Sequence, residues 1–166
     1  MPALDIERIL STLDRHGVDY VLIGGLAARL HGSPLLTEDV DITPSTEREN
    51  LRRLAEAIKE MDAELRVAGA PEGVPFAFDE RSFGSFTSMT LVTRFGFLDL
   101  CFRPDGTRGY PELIEAAETY EVYGLAISVA SLDDVIRSKT AAGRERDLQA
   151  LPTLRALKTR LENGEQ

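Results

Sequence analysis

The chain has 166 residues, of which 43% are hydrophobic and 28% are charged, and its formal net charge is −9 at pH 7. This length and composition are typical of one folded domain with a proper core, which excludes a disordered chain. The negative charge excludes a broad basic surface that binds nucleic acid without sequence preference. It still allows one nucleotide or RNA end to bind at a local metal site.

Signals for export and membrane insertion are missing from the sequence. The first ten residues, MPALDIERIL, carry acids where a signal peptide has a basic region. No run approaches the roughly 20 apolar residues that cross a bilayer. The single cysteine, Cys101, forbids an internal disulfide and fits a reducing compartment. We therefore expect a cytoplasmic protein that has no membrane partner.

Apolar residues recur at helical or alternating spacing, which predicts one α/β domain over residues 1–161 and a polar tail over 162–166. In chain order the predicted helices are 4–16, 25–30, one that starts within 44–47 and runs to 61, 110–118, 132–142 and 144–161. The predicted strand segments are 19–23, 39–43, 63–67, 83–94, 97–102 and 120–129.

Local signals refine several of these segments. Thr46 or Ser45 is the predicted N-cap of the third helix, with Glu49 completing a capping box, and Ser131 is the predicted cap of the fifth. Pro152 should kink or split the last helix. The Gly- and Pro-rich residues 68–81 are predicted to be the most mobile loop.

Three aspartates lie on predicted strands, where this residue is depleted. Asp39 and Asp41 are two residues apart and therefore point to the same face of the strand over 39–43. Asp99 lies in the middle of the strand over 97–102, between apolar neighbours. Any one of them could cap a helix or pair with an arginine. As a set they indicate a site for hard cations such as Mg²⁺.

A glycine pair, Gly24-Gly25, leads from the strand over 19–23 into the helix over 25–30. Helix N-termini attract anions, and a triphosphate could approach a backbone that carries no side chains. A plain tight turn is the alternative. The chain has neither the lysine of a Walker A loop nor a GxGxxG pattern.

Two motifs of the chain resemble those of a known family. The first consists of Gly24-Gly25, Ala27, His31-Gly32, Thr37 and Asp39-Val40-Asp41-Ile42. The second consists of Lys139, Ala142-Gly143-Arg144 and Arg146-Asp147-Leu148. Both resemble motifs of the minimal nucleotidyltransferases of the DNA polymerase β superfamily, and most closely its AbiEii-type branch, which includes toxins of toxin–antitoxin systems. The resemblance implies an α/β (α+β) fold with a small mixed sheet flanked by helices.

The resemblance also implies roles for the acids and glycines of the first motif and for Asp99. Asp39 and Asp41 would hold two Mg²⁺ ions, with Mn²⁺ as the alternative metal. Asp99 would join the catalytic ion and orient or deprotonate the attacking hydroxyl. Gly24 and Gly25 would cradle the β- and γ-phosphates of an NTP such as ATP.

The second motif and two departures from the family pattern concern positive charge. Lys139, which we place in the catalytic set, and Arg144 would contact the triphosphate or the acceptor. Lys139 could equally be a solvated helix residue, and the alternative for Arg144 is an ordinary surface ion pair with Glu145 or Asp147. Asp147 would orient Arg144 or Lys139. Many relatives have an arginine where this chain has Leu35, and toxin relatives often have a lysine where it has Phe97. Both changes predict an altered nucleotide preference, or a weak or lost activity.

The implied function is that of a Mg²⁺-dependent transferase, which moves an NMP from an NTP to an acceptor hydroxyl and releases pyrophosphate. By analogy with the toxin branch, the favoured acceptor is RNA, such as a tRNA 3′ end, and an antitoxin protein is the expected partner. The candidate RNA contacts are Arg137, Lys139, Arg144 and Arg146, and also Arg52-Arg53. The alternatives are transfer to an antibiotic or a protein, and a non-catalytic antitoxin or partner-binding module on the same fold.

Overall fold

The computed structural model describes residues 2–165, in which eight strands form one mixed sheet and six α-helices accompany it. The helices are α1 (Ile6–Arg15), α2 (Gly24–Leu30), α3 (Arg48–Glu60), α4 (Tyr110–Ala116), α5 (Leu132–Ala142) and α6 (Glu145–Glu162). The strands are β1 (Tyr20–Ile23), β2 (Asp39–Pro44), β3 (Glu64–Val67), β4 (Ala70–Val74), β5 (Ser88–Thr93), β6 (Gly96–Cys101), β7 (Glu118–Val122) and β8 (Leu125–Val129). Met1, the first residue of the predicted domain, and Gln166, the last residue of the predicted tail, lie outside the described residues.

The sheet has the strand order β4-β3-β5-β6-β2-β1-β8-β7, so the strands that carry the three aspartates are central neighbours. Strands β2 and β6 run parallel, as do β1 and β8, whereas the other neighbours are antiparallel. Parallel neighbours cannot be joined by a tight hairpin, so the chain leaves β2 and builds α3 and three further strands before it returns as β6. This confirms the predicted fold class.

The two faces of the central strands differ in burial. Val40, Ile42, Leu98 and Leu100 are fully buried, and they belong to one hydrophobic core together with buried residues of α1 and α3. Burying side chains of this size stabilises the fold by about 1.5–3 kcal/mol each. The aspartates alternate with these residues and therefore stand on the opposite, partly exposed face. The apolar alternation thus fixes which face presents the acids.

The predicted loop over 68–81 is wrong in its first half. Residues Ala70–Val74 form β4, which pairs with β3 across a two-residue turn, Ala68-Gly69. Gly69 has a φ of +84°, which suits a short hairpin turn. The glycines and prolines of this segment therefore mark a hairpin.

The chain that follows β4 is held by aromatic packing. The rings of four phenylalanines pack against one another, namely Phe76, Phe78, Phe83 and Phe86.

The predicted start of the third helix is also wrong. Helix α3 begins at Arg48, and its N-cap is Glu47, whose side chain makes no capping hydrogen bond. Ser45 Oγ instead accepts from the N–H of Glu47, in a turn that precedes the helix. The cap predicted at Ser131 is confirmed, because its side chain accepts from the N–H of Asp134.

The ends of the predicted elements shift in several other places. The helix over 110–118 stops at Ala116, and Glu118 already starts β7. The strand segment over 120–129 is a hairpin, since Tyr123 and Gly124 both have positive φ. The segment over 83–94 begins with a 3₁₀ turn, Ser82–Ser85, before β5.

Helix α6 runs unbroken through Pro152 to Glu162, so of the predicted kink or split the split is wrong. Glu162 belongs to the helix, not to the tail. Leu151, Leu154 and Leu157 are buried on either side of the proline, and this packing favours continuity over the lost backbone hydrogen bond. Neither α6 nor any other helix within residues 2–165 is long and apolar enough to cross a membrane.

One buried asparagine ties α3 to the strands that lead to the acids. Asn50 is 1% exposed, and its amide donates to the carbonyl oxygens of Asp19 at 2.9 Å and Ser45 at 2.8 Å. Its Oδ1 accepts from the N–H of Asp19 at 2.7 Å. These bonds fix the residues that flank the start of β1 and the end of β2.

We expect Asn50→Ala to lower the free energy of unfolding by about 2–3 kcal/mol, because it leaves the N–H of Asp19 and the carbonyl of Ser45 without their partner and removes one of the two donors to the Asp19 carbonyl. Urea denaturation measures this change. Asn163→Ala, at the exposed C-terminal cap of α6, is the matched control and should cost less than about 0.5 kcal/mol. Equal losses in the two variants would contradict the structural role of Asn50.

Candidate active site

Three carboxylates converge on the partly exposed face of the sheet. Asp41 of β2 lies opposite Asp99 of β6 in the parallel pairing, and Asp39 is two residues before Asp41 on the same face. One carboxylate oxygen of each residue lies within 4.8 Å of those of the other two. The structure thus brings together the three acids that the sequence singled out.

The acids strongly perturb one another. Burial, followed by the charges of Asp39 and Asp99, raises the pKa of the Asp41 carboxyl to about 9. Burial and the charge of Asp39 also raise the pKa of Asp99. Asp99 Oδ1 is buried and has no hydrogen-bond partner among residues 2–165. An all-oxygen cluster of repelling carboxylates with an unpaired buried oxygen fits a hard divalent cation, which Asp39, Asp41 and Asp99 would hold.

The glycine pair lies directly against this acid cluster. Gly24 has a φ of +68°, and a Cβ added there would come within 2.8 Å of Asp41 Cγ. A Cβ on Gly25 would lie 3.0 Å from Thr37 Oγ1, which donates to the backbone oxygen of Asp39 at 3.0 Å. A side chain at position 24 would therefore crowd Asp41, and one at position 25 would crowd Thr37, which is hydrogen-bonded to Asp39. Thr37 belongs to the first motif, but the sequence alone assigned it no role.

A buried aspartate holds the two cations of the second motif. Asp147 is 1% exposed and lies 2.7 Å from Arg144 Nε and 3.4 Å from Lys139 Nζ. Burial opposes its ionisation, but the hydrogen bond and charge of Arg144 and the charge of Lys139 hold its pKa below the ordinary value. The hydrogen bond to Asp147, with smaller contributions from Asp105 and Asp41, raises the pKa of Arg144. Asp147 is thus the shared anchor of Arg144 and Lys139.

Most of the other predicted RNA contacts are paired with acids. Arg137 pairs with Glu112 at 2.6 Å and Asp134 at 3.0 Å, Arg52 with Glu49 at 3.3 Å and Glu80 at 3.4 Å, and Arg53 with Asp19 at 3.5 Å. These guanidinium charges are largely neutralised within the chain. Neither predicted patch is therefore a free basic surface.

His31 of the first motif is a buried structural residue. Its Nε2 faces the backbone oxygen of Ala130 at 2.8 Å, and its Nδ1 faces the hydroxyl of Tyr120 at 3.1 Å. Both ring nitrogens thus have a polar neighbour, and the Tyr120 hydroxyl donates in turn to Glu118 Oε2 at 3.1 Å. His31 thus fastens the end of α2 to the β7–β8 hairpin.

The two departures from the family pattern have different surroundings. Leu35 lies exposed in the loop between α2 and β2. Phe97 lies opposite Asp39 across the β2–β6 pair, and the guanidinium carbon of Arg66 is 5.0 Å from its ring centroid. Sequence reasoning missed Arg66, although the alternation of the strand over 63–67 offered a signal, because it places Arg66 on the face opposite the buried Leu65.

No protein-family model matches the chain, and no curated protein matches it in sequence. Solved structures do match its fold. The lincomycin-bound lincosamide antibiotic adenylyltransferase LnuA is 13% identical with a TM-score of 0.61, and the match covers 93% of this chain and 99% of LnuA. ANT(2″)-Ia, solved in complex with adenylyl-2″-tobramycin, is 15% identical with a TM-score of 0.56 over 94% of this chain and 87% of that one.

A third match is an antigenic nucleotidyltransferase-like protein from Paracoccidioides brasiliensis, at 18% identity and a TM-score of 0.53, over 93% of this chain and 78% of that one. Identities this low establish the fold alone. The chain thus has the fold of nucleotidyltransferases, and the AbiEii-type branch is not identified by these matches.

We expect Gly24→Ala to weaken Mn²⁺ binding about 10-fold or more, because the new Cβ displaces the Asp41 carboxylate. Paramagnetic resonance of free Mn²⁺ measures this affinity. Gly84→Ala is the matched control, since a Cβ there meets no atom within 4 Å. The same Kd in Gly24→Ala and the wild type would show that the close approach of Gly24 to Asp41 is unimportant.

The raised pKa of Asp41 predicts a pH-dependent stability of the metal-free protein. The unfolded carboxyl titrates near 4, so the folded state binds the extra proton between pH 4 and about 9, and stability falls as pH rises through this window. Asp41→Asn should therefore be more stable than the wild type at pH 8 by about 1 kcal/mol. Thermal unfolding in EDTA measures this difference.

The control for this stability prediction is Glu38→Gln, an exposed acid outside the cluster, which should keep the wild-type dependence on pH. Added Mg²⁺ should stabilise the wild type and leave Asp41→Asn nearly unchanged. An Asp41→Asn variant that is less stable than the wild type at pH 8 would contradict the repulsion described above.

Proposed function

We propose that this chain is a divalent-metal-dependent nucleotidyltransferase that moves an NMP from an NTP, such as ATP, to an acceptor hydroxyl and releases pyrophosphate. The observation that carries the proposal is the convergence of three carboxylates beside a glycine turn that admits no side chain. The fold shared with nucleotidyltransferases supports it. The transfer forms a bond from the acceptor oxygen to the α-phosphorus and breaks the bond from that phosphorus to the oxygen of the leaving pyrophosphate.

Each acidic residue has its own part in this step. Asp39 and Asp41 would hold two metal ions, Asp99 would join them at the catalytic ion, and the backbone of Gly24 and Gly25 would bind the β- and γ-phosphates. When bound, Mg²⁺ or Mn²⁺ supplies positive charge that offsets the charge of the phosphates and acidifies the attacking hydroxyl. Asp99 stands on the neighbouring strand, where its carboxylate would orient that hydroxyl and accept its proton.

Lys139 and Arg144 bind the triphosphate or the acceptor, with Lys139 in the catalytic set and Asp147 as the residue that positions both. The supporting observation is that one buried carboxylate of α6 fixes a cation of α5, Lys139, and a cation of the link between α5 and α6, Arg144. Without Asp147, two long side chains would lose rotational freedom each time substrate binds. A preformed pair reduces this loss.

The favoured acceptor is the 3′ hydroxyl of an RNA such as tRNA, in a toxin that an antitoxin protein would restrain. The resemblance of both sequence motifs to the AbiEii-type branch supports this choice. The internal pairing of Arg52, Arg53 and Arg137 means that RNA would be held near the acid cluster, not along an extended basic surface.

A second acceptor class is a small antibiotic. The specific observation in its favour is the similarity in fold to LnuA and to ANT(2″)-Ia, solved with lincomycin and with adenylyl-2″-tobramycin respectively. These matches cover most of each chain. The chemistry at Asp39, Asp41 and Asp99 would be the same with either acceptor.

We expect Asp41→Asn to lower nucleotidyl transfer about 1,000-fold while the fold is kept, because the metal loses a central ligand. The measurement incubates the protein with each labelled NTP and Mg²⁺ in three mixtures, which contain total RNA, a panel of lincosamides and aminoglycosides, or a cell extract. Glu38→Gln is the matched control and should transfer normally.

Label on RNA, antibiotic or protein identifies the acceptor. Transfer that is equal in Asp41→Asn and the wild type would refute the site. The absence of label and of pyrophosphate release in every mixture would instead favour the non-catalytic partner-binding module.

A further inference from the structure

An arginine with no acid partner among residues 2–165 lies on the acid-bearing face of the sheet. Arg66 belongs to β3, where its neighbour Leu65 is buried opposite Leu91 of β5. Side chains alternate, so Arg66 stands on the other face, which is the face of Asp99 and Phe97. At roughly 4.8 Å per strand, its backbone is about 10 Å from that of Asp99, with β5 between them.

The Arg66 side chain is held towards the acids by an aromatic ring. Its guanidinium carbon lies 5.0 Å from the ring centroid of Phe97, a separation typical of a cation–π contact. Phe97 precedes Asp99 by two residues on β6 and lies opposite Asp39 on β2. The stacked guanidinium is therefore displaced from β3 across the sheet, over the strand that carries Asp99.

The charge of Arg66 is available to a ligand. Arg52, Arg53 and Arg137 each have a carboxylate within 4 Å, whereas Arg66 has none in the described part of the chain. Its side chain is exposed. In a chain of net charge −9, a cation that is held in place beside three carboxylates is well placed to bind a negatively charged group.

The strand order separates two sides of the acid cluster. Gly24 and Gly25 follow β1 on one side of β2, whereas Arg66 and Phe97 lie on the other side, towards β6, β5 and β3. The inference that follows rests on the proposed function, in which the glycine turn takes the triphosphate. The acceptor then approaches from the side of Asp99, and its nearest protein surface is the Arg66–Phe97 pair.

We propose that Arg66, stacked on Phe97, binds a phosphate group that neighbours the acceptor hydroxyl, and so selects phosphorylated acceptors. Guanidinium groups recognise phosphate oxygens through two parallel hydrogen bonds, and the ring limits the conformations of the free side chain. The same fixed charge disfavours a polycationic acceptor at this place. The phosphate could belong to the 3′ end of an RNA or to a phosphorylated small molecule, and the two sources are separated below.

The binding test needs no turnover. Fluorescence anisotropy with a 5′-labelled RNA hexanucleotide that ends in a 3′ hydroxyl, with Mg²⁺ present and NTP absent, reports the RNA source. Calorimetric titration with ribose 5-phosphate, and with ribose as its uncharged counterpart, reports the small-molecule source. We expect Arg66→Gln to weaken binding of the phosphorylated probe about 10-fold. It should also reduce the slope of the logarithm of the RNA-binding constant against the logarithm of salt concentration by about 0.7.

Three further variants separate charge, stacking and fold. Arg66→Lys keeps the charge and should recover part of the lost affinity, while Phe97→Leu should weaken binding about 3-fold because the guanidinium is no longer held. The matched control is Arg94→Gln, since Arg94 is also stacked on a phenylalanine, Phe95, but at the β5–β6 turn. It should bind as the wild type does.

Binding of either phosphorylated probe that depends on Arg66 supports the proposal and identifies the source. Binding that is unchanged in Arg66→Gln, the same loss in Arg94→Gln, or no binding of either probe would overturn it. Because no NTP is consumed, these outcomes are independent of nucleotidyl transfer. Transfer without Arg66-dependent binding would overturn this inference alone, and Arg66-dependent binding without transfer would overturn the proposed function alone.

Discussion

The parallel pairing of β2 with β6 places Asp41 opposite Asp99, and the rest of the site depends on this register. A slip of one residue would turn Asp99 towards the core and bring a leucine to the acid face. The register is held by Val40, Ile42, Leu98 and Leu100, which are fully buried on the opposite face. The hydrophobic core thus forces together three carboxylates that repel one another, and the burial energy offsets that repulsion.

Neighbouring features follow from the crowding around Asp41. Its carboxylate occupies the space into which a side chain at position 24 would project, so a glycine stands there with a positive φ. Asp147 holds Lys139 and Arg144, and its hydrogen bond, with a smaller contribution from the charge of Asp41, raises the pKa of Arg144. The three aspartates are therefore accompanied by a backbone that carries no side chains, at Gly24 and Gly25, and by two cations that Asp147 holds in place. This combination suits a polyanionic substrate bound through a metal.

The fold class and the acid cluster could be predicted well from the sequence, because both rest on alternation along strands. The two-residue spacing of Asp39 and Asp41 assigns them to one face, and Asp99 joins them as a third acid on a predicted strand. The contact of Asp147 with two cations follows from the second motif.

Long-range pairing could not be predicted in this way. The internal neutralisation of Arg137 by Glu112 and the position of Arg66 over Phe97 depend on how distant segments pack and on strand order, which local patterns do not contain.

The central claim is that the acid face is a metal site built for a nucleoside triphosphate. Its most direct measurement is a calorimetric titration of the protein with Mn²⁺, with and without a non-hydrolysable NTP analogue, in the wild type and in Asp99→Asn. We expect the analogue to tighten metal binding and to raise its stoichiometry towards two per chain, and we expect Asp99→Asn to lose the second ion. Mn²⁺ binding that is weak, insensitive to the analogue and unchanged in Asp99→Asn would contradict the central claim.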